Sequence, residues 1–315
     1  MKKLTRIIIG LMLIFTLTGC GKEDTATVRV GALKGPTTMG LVCMQEKENY
    51  EFTMMTSPDE IMPLIIKGDV DIALVPANLA SVLYNKTEGG ISVIDVNTLG
   101  VLYMVSADTG IQSVNDLKGR TVYLTGKGST PEYVLSYILK ENGLSEDDVT
   151  LEFKTEPTEI VALLAENPDA VGMLPQPFVT AALMKNDALQ TVMDMSREWD
   201  ALQEEGGSHM VTGVTVVRNE FLEQHEKAVE RFLKDHEESV NEINADPAAG
   251  AKLVVEAGIV PKEPVAEKAI PGCHLVCLKG EEMKNALSGF LSVLADQDMK
   301  AVGGALPSED FYFAE

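Results

Sequence analysis

What narrows this chain most is one device used twice. The apolar run Val28–Leu33, an expected strand, leads into Lys34-Gly35-Pro36-Thr37-Thr38 and then a helical pattern over residues 39–46. The run Thr121–Leu124 leads likewise into Lys127-Gly128-Ser129-Thr130-Pro131 and a helical pattern over residues 133–141, with Gly35 and Gly128 93 residues apart. A glycine lets the backbone turn sharply after a strand, and small hydroxyl residues open the helix that follows. Such a helix start presents unpaired N–H groups and the positive end of a dipole, which suits an anionic or acceptor-rich ligand.

A second pair accompanies the first. Residues 68–78 and 167–177 are both short apolar strands that end at a proline before a helix, and Pro76 and Pro175 stand 99 residues apart. Two features at nearly one offset imply two similar lobes that turn strand-to-helix connections toward a shared cleft. Open α/β sheets bind ligands at these carboxyl ends.

The rest of the chain fits that plan. Strands are expected at 50–55, 71–75, 91–96 and 100–105, then at 149–153, 170–174 and 190–193. Between them lie helices at 77–85, 158–165 and 178–185 and one opened by Ser57-Pro58-Asp59-Glu60, which has the form of a capping box. Trp199 falls in an irregular acidic stretch. After the apolar run 211–217, Asn219 is expected to cap a helix over 220–244 striped by Phe221, Leu222, Val229, Phe232, Leu233, Val240 and Ile243. Helices at 247–257, 264–269 and 281–294 and a strand at 270–278 follow. Alternating strands and helices make the fold class α/β, with a mostly parallel, helix-flanked sheet in each lobe. The expected crossings at Val105–Ser106 and Val211–Thr212 divide the chain into a first lobe of residues 28–105 and 212–315 and a second of 106–211. Paired crossings make a natural hinge.

The N-terminus reads as an address. Lys2, Lys3 and Arg6 precede an apolar stretch, 7–17, that is too short to span a bilayer and ends in Leu17-Thr18-Gly19-Cys20. This resembles the bacterial lipobox, which implies removal of residues 1–19, acylation of Cys20, a short tether at 20–27 and a protein anchored on the extracytoplasmic face of the cell membrane. The net charge is −22, and loss of the three leader cations takes it to −25. A surface of that sign, with no basic stripe, excludes nucleic acid as a partner. With Cys20 acylated, Cys43, Cys273 and Cys277 remain, an odd number that closes no disulfide framework. On one strand Cys273 and Cys277 would stand about 13 Å apart, so they read as small apolar residues.

Chemical motifs are begun and not completed. Lys127 is followed by Gly128 where a phosphate-binding loop needs Ser or Thr, and Gly126-Lys127-Gly128 lacks the third glycine of a dinucleotide fingerprint. His225-Glu226 and His236-Glu237 reach Val229 and Val240 where a zinc-protease motif needs a second histidine, so both histidines read as partly covered boundary residues. Strand alternation would point Cys273 and Cys277 one way and His274 the other, which argues against a metal there. No Gly-x-Ser-x-Gly element is present. Neither a cofactor, a metal nor a catalytic residue is expected, and the chain reads as a non-enzyme.

These pieces together resemble a known group. The lipobox, the segments 31–37 and Ser113-Val114-Asn115-Asp116-Leu117-Lys118-Gly119-Arg120-Thr121-Val122, and the ending Gly303-Gly304-Ala305-Leu306-Pro307 with Phe311-Tyr312 look like ABC-transporter solute-binding proteins. The group concerned binds sulfonates, taurine, nitrate and thiamine-pyrimidine precursors. The resemblance covers nearly all of residues 28–315. It implies a two-lobed, type II periplasmic-binding-protein fold, acting as a monomer that captures a small polar molecule by lobe closure and hands it to a membrane permease.

By position the resemblance puts ligand contacts at Gly35, Pro36, Thr37 and Thr38 and at Pro76, Ala77 and Asn78 of the first lobe. In the second lobe it puts them at Thr125, Gly126, Gly128, Ser129 and Thr130 and at Gln176 and Pro177. Lys34 and Lys127 either add charge or stand as surface lysines beside the turns. Tyr103, Tyr133 and Phe178 could wall an apolar portion, with core packing the simpler reading. Many members place Glu before the second-lobe Pro-Phe; Gln176 here removes a fixed negative charge and argues against a cationic ligand. The implied cargo is an organic acid or sulfonate first, then a vitamin precursor. Two other classes remain open: an enzyme of vitamin or quinone biosynthesis on the same fold, and a surface lipoprotein that binds proteins.

Overall fold

A computed structural model describes residues 24–145, 147–204 and 207–314. The leader, the lipobox with Cys20 and residues 21–23 lie outside the described residues.

The first segment runs β1 (Val28–Leu33), α1 (Pro36–Met39), β2 (Tyr50–Met55), α2 (Pro58–Lys67), β3 (Ile72–Pro76), α3 (Ala77–Lys86) and β4 (Ile91–Leu99). The second runs β5 (Leu102–Ser106), β6 (Thr121–Leu124), α4 (Thr130–Glu141), β7 (Thr150–Phe153), α5 (Pro157–Glu166), β8 (Val171–Pro175), α6 (Phe178–Lys185), β9 (Gln190–Asp194) and α7 (Met195–Asp200). The third runs β10 (Val211–Arg218), α8 (Asn219–Gln224), α9 (Glu226–Ala245), α10 (Pro247–Glu256), α11 (Glu263–Ala269), β11 (Leu275–Leu278) and α12 (Gly280–Gln297).

The strands form two sheets, ordered β11-β4-β10-β3-β1-β2 and β7-β6-β8-β5-β9. The sequence offset survives as strand order: β2-β1-β3-β10-β4 and β7-β6-β8-β5-β9 follow one pattern. In each, three parallel strands are followed by an antiparallel one, β10 or β5, and then by a strand antiparallel to that. β10 and β5 are the strands through which the chain changes sheets. The result is a two-lobed α/β fold with helices on both faces of each sheet. One apolar core continues between the sheets, where α12 sets Leu287, Phe290 and Leu291 among Leu83 and Val93 of the first and Leu135 and Met173 of the second.

Local chemistry explains most boundaries. α2 begins as expected: Glu60 accepts the Thr56 and Ser57 N–H groups at 2.7 and 3.2 Å, completing the capping box. The first helix, however, is not the run 39–46. It occupies Pro36–Met39 and gives way to a 3-10 turn at Val42–Met44. Proline at the first position starts it early, and α9 presses so closely on Gly40 that a β-carbon there would stand 3.0 Å from Val240.

Four further expectations are corrected. The 220–244 helix breaks at His225, whose backbone leaves helical geometry, and Asn219 is its first residue rather than its cap. The strand over 270–278 is a 3-10 turn at Ile270–Cys273, a left-handed His274 and then β11, because Pro271 and Gly272 favour a turn over pleated backbone. Trp199 lies in α7, fully buried between Tyr137 and Phe290 at centroid distances of 4.7 and 5.4 Å. β5 pairs only with β8 and β9, so the first crossing falls at Gly100-Val101 and not at Val105–Ser106.

Candidate functional site

The carboxyl ends of β3 and β8 meet the starts of β5 and β10 around a cavity of about 450 Å³. From the first sheet's side Pro58, Pro76, Asn78 and Leu79 line it, and from the second Ser129, Thr130, Pro131 and Pro175. Val101, Leu102 and Thr212, at the two crossings, form its floor. Seven of these side chains are apolar and four offer a hydroxyl or an amide; none is ionisable. The wall suits burial of an apolar body with a few directional hydrogen bonds, and it supplies no acid, base or activated nucleophile.

Three helices begin at this cavity: α2 at Pro58, α3 at Ala77 and α4 at Thr130. Their dipoles favour electron density in front of them. Two starts already hold an acid, since Glu60 caps α2 and Glu132 accepts the Gly128 N–H before α4. α3 differs: its N-cap is Pro76, no side chain caps it, and its first turn carries no acid. The first N–H groups of α3 therefore face the cavity without a built-in acceptor.

Of the residues expected to touch ligand, Pro76, Asn78, Ser129 and Thr130 come together here. Ser129 donates its hydroxyl to Gly126 O at 2.6 Å, leaving acceptor lone pairs and the adjacent Thr130 for a ligand. Ala77 is buried with its methyl in the core. Thr125 and Gly126 are half-buried in the turn behind Ser129. Pro177 is the N-cap of α6.

Other expected residues are turned to different work. Thr38 is 1% exposed and donates its hydroxyl to Leu33 O at 2.5 Å, so it closes the β1–α1 turn from inside. Thr37 is buried against Gly213, and Gly35 and Pro36 are half-buried outside the cavity lining. Gly35 has φ 154 with open space where a β-carbon would be, so backbone conformation and not crowding requires glycine there. The Lys34 ammonium lies beside Gly258 in the α10–α11 connection, and Lys127 sits 5.6 Å over the Phe153 ring. Gln176, just before the α6 N-cap, is tied to the first turn of α6, its Oε1 accepting from the Thr180 hydroxyl at 2.9 Å and the Thr180 N–H at 3.3 Å.

Gln176 lines a different hollow of about 450 Å³, between α6 and the α11 end, with Tyr103, Thr191, Lys268 and Gly272. Burial, then Asp194, holds the Tyr103 hydroxyl above its ordinary range, and it donates to Gly272 O at 2.8 Å. Gly128 borders a third hollow, about 680 Å³, on the outer side of α4. Tyr133 and Asp298 line it, with Tyr133 Oη 3.3 Å from Asp298 Oδ2. Although larger, it lies away from the strand ends. Phe178 is half-buried in the second-sheet core.

Sequence reasoning missed Val101 and Leu102 because the first crossing was set five residues late; Thr212 was expected at the second crossing but not as a cavity residue. It named Pro76 but missed Pro58, Pro131 and Pro175 beside it. Pro58 and Pro131 were legible as helix openers, and only the assembled lobes bring them to one cavity.

Among the described residues one cluster has the composition of a metal site: Asp95, His236 and Cys277, with ligand atoms within 4.8 Å of one another. His236 is fully buried, not a boundary residue, with Nδ1 3.0 Å from Asp95 Oδ2. Metal-bound imidazoles pass their second N–H to an acceptor; Nε2 of His236 has none and faces Gly40. The Thr215 hydroxyl donates to Asp95 at 2.7 Å, which completes a buried polar brace between β4, β10 and α9. Cys273 is fully buried and its thiol is pushed up to about 12 by desolvation.

With this geometry in hand, residues 51–250 match the family described as NMT1/THI5 like. The chain belongs to that family. A protein of Brucella abortus (strain 2308) named as a binding protein is 24% identical over 243 residues, covering 74% of this chain and 72% of its own length. Among solved structures, an ABC transporter protein from Parabacteroides distasonis is 25% identical with a TM-score of 0.78, covering 93% of this chain and 100% of its own. The periplasmic aliphatic sulphonate binding protein of Escherichia coli shares the fold at 16% identity and TM-score 0.69, covering 88% and 87%. This NMT1/THI5-like chain thus has the type II periplasmic-binding-protein fold that the resemblance implied.

Proposed function

We propose that the protein is the extracytoplasmic solute-binding component of an ABC-type importer. Its lobes comprise residues 28–99 with 211–314 and residues 102–200, and it works as a monomer held to the membrane by an acylated Cys20. The carrying observation is the cavity at the strand ends, walled by both sheets and floored by both crossings. A ligand that touches Pro76 and Asn78 on one side and Ser129 and Thr130 on the other gains contacts only when the lobes close. Its differential affinity then drives closure, and a permease reads the closed form. The likeness to sulphonate-binding and other importer components supports the same reading.

The lining narrows the cargo to a small organic molecule with an apolar body and one electron-rich end. That end faces the uncapped start of α3 and the hydroxyls of Ser129 and Thr130; the body lies on the proline and Leu79–Leu102 wall. An alkyl sulfonate, a carboxylate or an acceptor-rich ring meets this description, and a cation does not. The reading as an enzyme draws support from biosynthetic members of the family, but the cavity offers no ionisable group to move a proton.

Melting of residues 21–315 against a metabolite library tests this, since a ligand of the folded state raises Tm by mass action. One compound class raising Tm, with the effect abolished in Asn78→Ala combined with Thr130→Ala, is the expected result. Consumption of a compound with release of product would overturn it in favour of the enzyme.

A further inference from the structure

The segment Asp24–Thr27, expected to be free tether, is strapped to the first lobe. Arg231 of α9 donates through one guanidinium nitrogen to Asp24 O and through the other to Ala26 O at 2.8 Å. His225, at the break between α8 and α9, sets Nδ1 3.1 Å from Asp24 Oδ2, and Asp24 Oδ1 accepts the Ala26 N–H at 2.9 Å. Ala26 packs on the apolar cluster of Tyr50, Phe221 and Phe232, and Arg231 itself lies 5.9 Å over the Tyr50 ring. A break in a helix, two backbone carbonyls on one arginine and an apolar seat all converge on four residues.

This strap leaves the lobe at the amino end of β1 and the carboxyl end of β10, beside Arg29, Asp71 and Arg218. The cavity is at the opposite ends of the same strands. From Thr212 to Arg218 along β10 is about 20 Å at the usual strand rise. Chain length then sets the reach. Between Cys20 and Asp24 stand three residues, 21–23, which cover no more than about 14 Å of path between those Cα atoms at full extension.

We propose that the corner of the first lobe at the α8–α9 junction is the surface this protein turns to a phospholipid bilayer, held there by the strap, with the ligand cavity facing away from the membrane. The inference rests on acylation of Cys20. Charge does not drive the contact, because Arg29 and Arg218 are both paired to Asp71 and Glu220 stands beside them; the short leash does. Freeing the strap would add residues 24–27 to the leash, extending it to about 28 Å, enough to let the lobe tilt and bring the cavity toward a permease.

The test uses full-length lipidated protein in phosphatidylcholine vesicles. Intact mass of the vesicle fraction first reports the acyl chains; a protein without them loses the anchor reading, and the membrane face with it. A donor dye on Glu223→Cys in α8, or on Glu166→Cys at the exposed end of α5 in the second lobe, is then paired with a headgroup acceptor. Wild type treated alike gives the background from half-buried Cys43 and Cys277. Stronger transfer from position 223 than from 166 is expected; equal transfer in an acylated protein overturns the orientation. Trypsin tests the strap, since cleavage after Lys22 needs the following residues to enter the protease as free chain. Arg231→Ala should speed release of a fragment beginning at Glu23 at least about tenfold, and Asp24→Gly, which leaves the folded lobe intact, should act in the same direction. Unchanged release in both variants overturns the strap.

Discussion

Gly213 lies directly beneath Thr37: a β-carbon on Gly213 would stand 2.3 Å from Thr37 Cγ2 and 2.5 Å from Asn97 Oδ1. β10 thus comes close under the start of α1 only because residue 213 has no side chain. Gly213→Ala must push α1 off the sheet or bend β10 at the crossing. Overpacking of this kind costs roughly 1–3 kcal/mol. The expected outcome is a lower urea midpoint with an unchanged slope, and weaker ligand binding, since residue 212 floors the cavity.

Thr38 and Asn78 should separate stability from binding. Thr38→Ala leaves Leu33 O without its buried donor, a loss of about 1–2 kcal/mol, yet it removes nothing from the cavity wall. Asn78→Ala removes a polar group from that wall, where its hydrogen bond to Ala301 O is a long 3.5 Å. Calorimetric titration with any ligand found by melting should show near wild-type affinity for Thr38→Ala. For Asn78→Ala a loss of about 3–10-fold is expected, the worth of one hydrogen bond. Equal losses in both would place the ligand at the β1–α1 turn.

The contrast between those residues shows what was readable in advance. The repeat of strand, glycine turn and helix depends on local preferences and alternation, so it appeared in the chain as spacing and in the fold as matching strand orders. Whether a hydroxyl faces ligand or backbone depends on one side-chain torsion and on what packs above it. Thr37 occupies the same motif position as Thr130, yet close packing of α9 and β10 buries Thr37 and Thr38 while Ser129 and Thr130 open on the cavity. Gln176 was read as a ligand contact because of its place before Pro177; its bonds to Thr180 in the first turn of α6 needed the relative positions of Thr180 and Gly272. The break at His225 was hidden because the apolar stripe continues through it, and the partner of the His225 side chain, Asp24, lies two hundred residues away.

Trp199 should report on the packing that joins the segments. It is the chain's single tryptophan, fully buried in α7, and its indole N–H donates to Ser208 O at 3.2 Å. Phe290 of α12, 5.4 Å away, is the part of that contact contributed by the third segment. Phe290→Ala leaves a cavity beside the indole and should cost about 3–5 kcal/mol. Tryptophan emission should be blue-shifted in the native protein and move to the red in the variant before urea is added. An unchanged native spectrum would mean that α12 contributes little to the surroundings of the indole.

Acid should weaken the protein through carboxylates that the fold keeps ionised. Asp148 is held far below the ordinary carboxylate range by the Ser145 N–H, then the Ser145 hydroxyl, then Lys118. Asp116 is lowered by the Ser113 hydroxyl and the Gln112 N–H, and Asp108 by the Gly110 N–H and Arg120. Each has a folded pKa below its unfolded one, so unfolding takes up protons. The stabilisation is fully present above the unfolded value near 3.8 and is lost as pH falls through the folded value. Tm should therefore owe no pH dependence to these groups between about pH 5 and 8 and should fall steeply below about pH 4. Asp148→Asn makes the point specific. The variant should melt below wild type at pH 7, and the gap should narrow steadily as pH drops under 4, because wild type loses there what the variant never had. All three carboxylates lie between residues 108 and 148, in the second lobe, so Trp199 emission and second-lobe amide exchange should register the loss before first-lobe amides do. A gap that stays constant from pH 7 to pH 3 would mean that Asp148 acts through shape and not through charge.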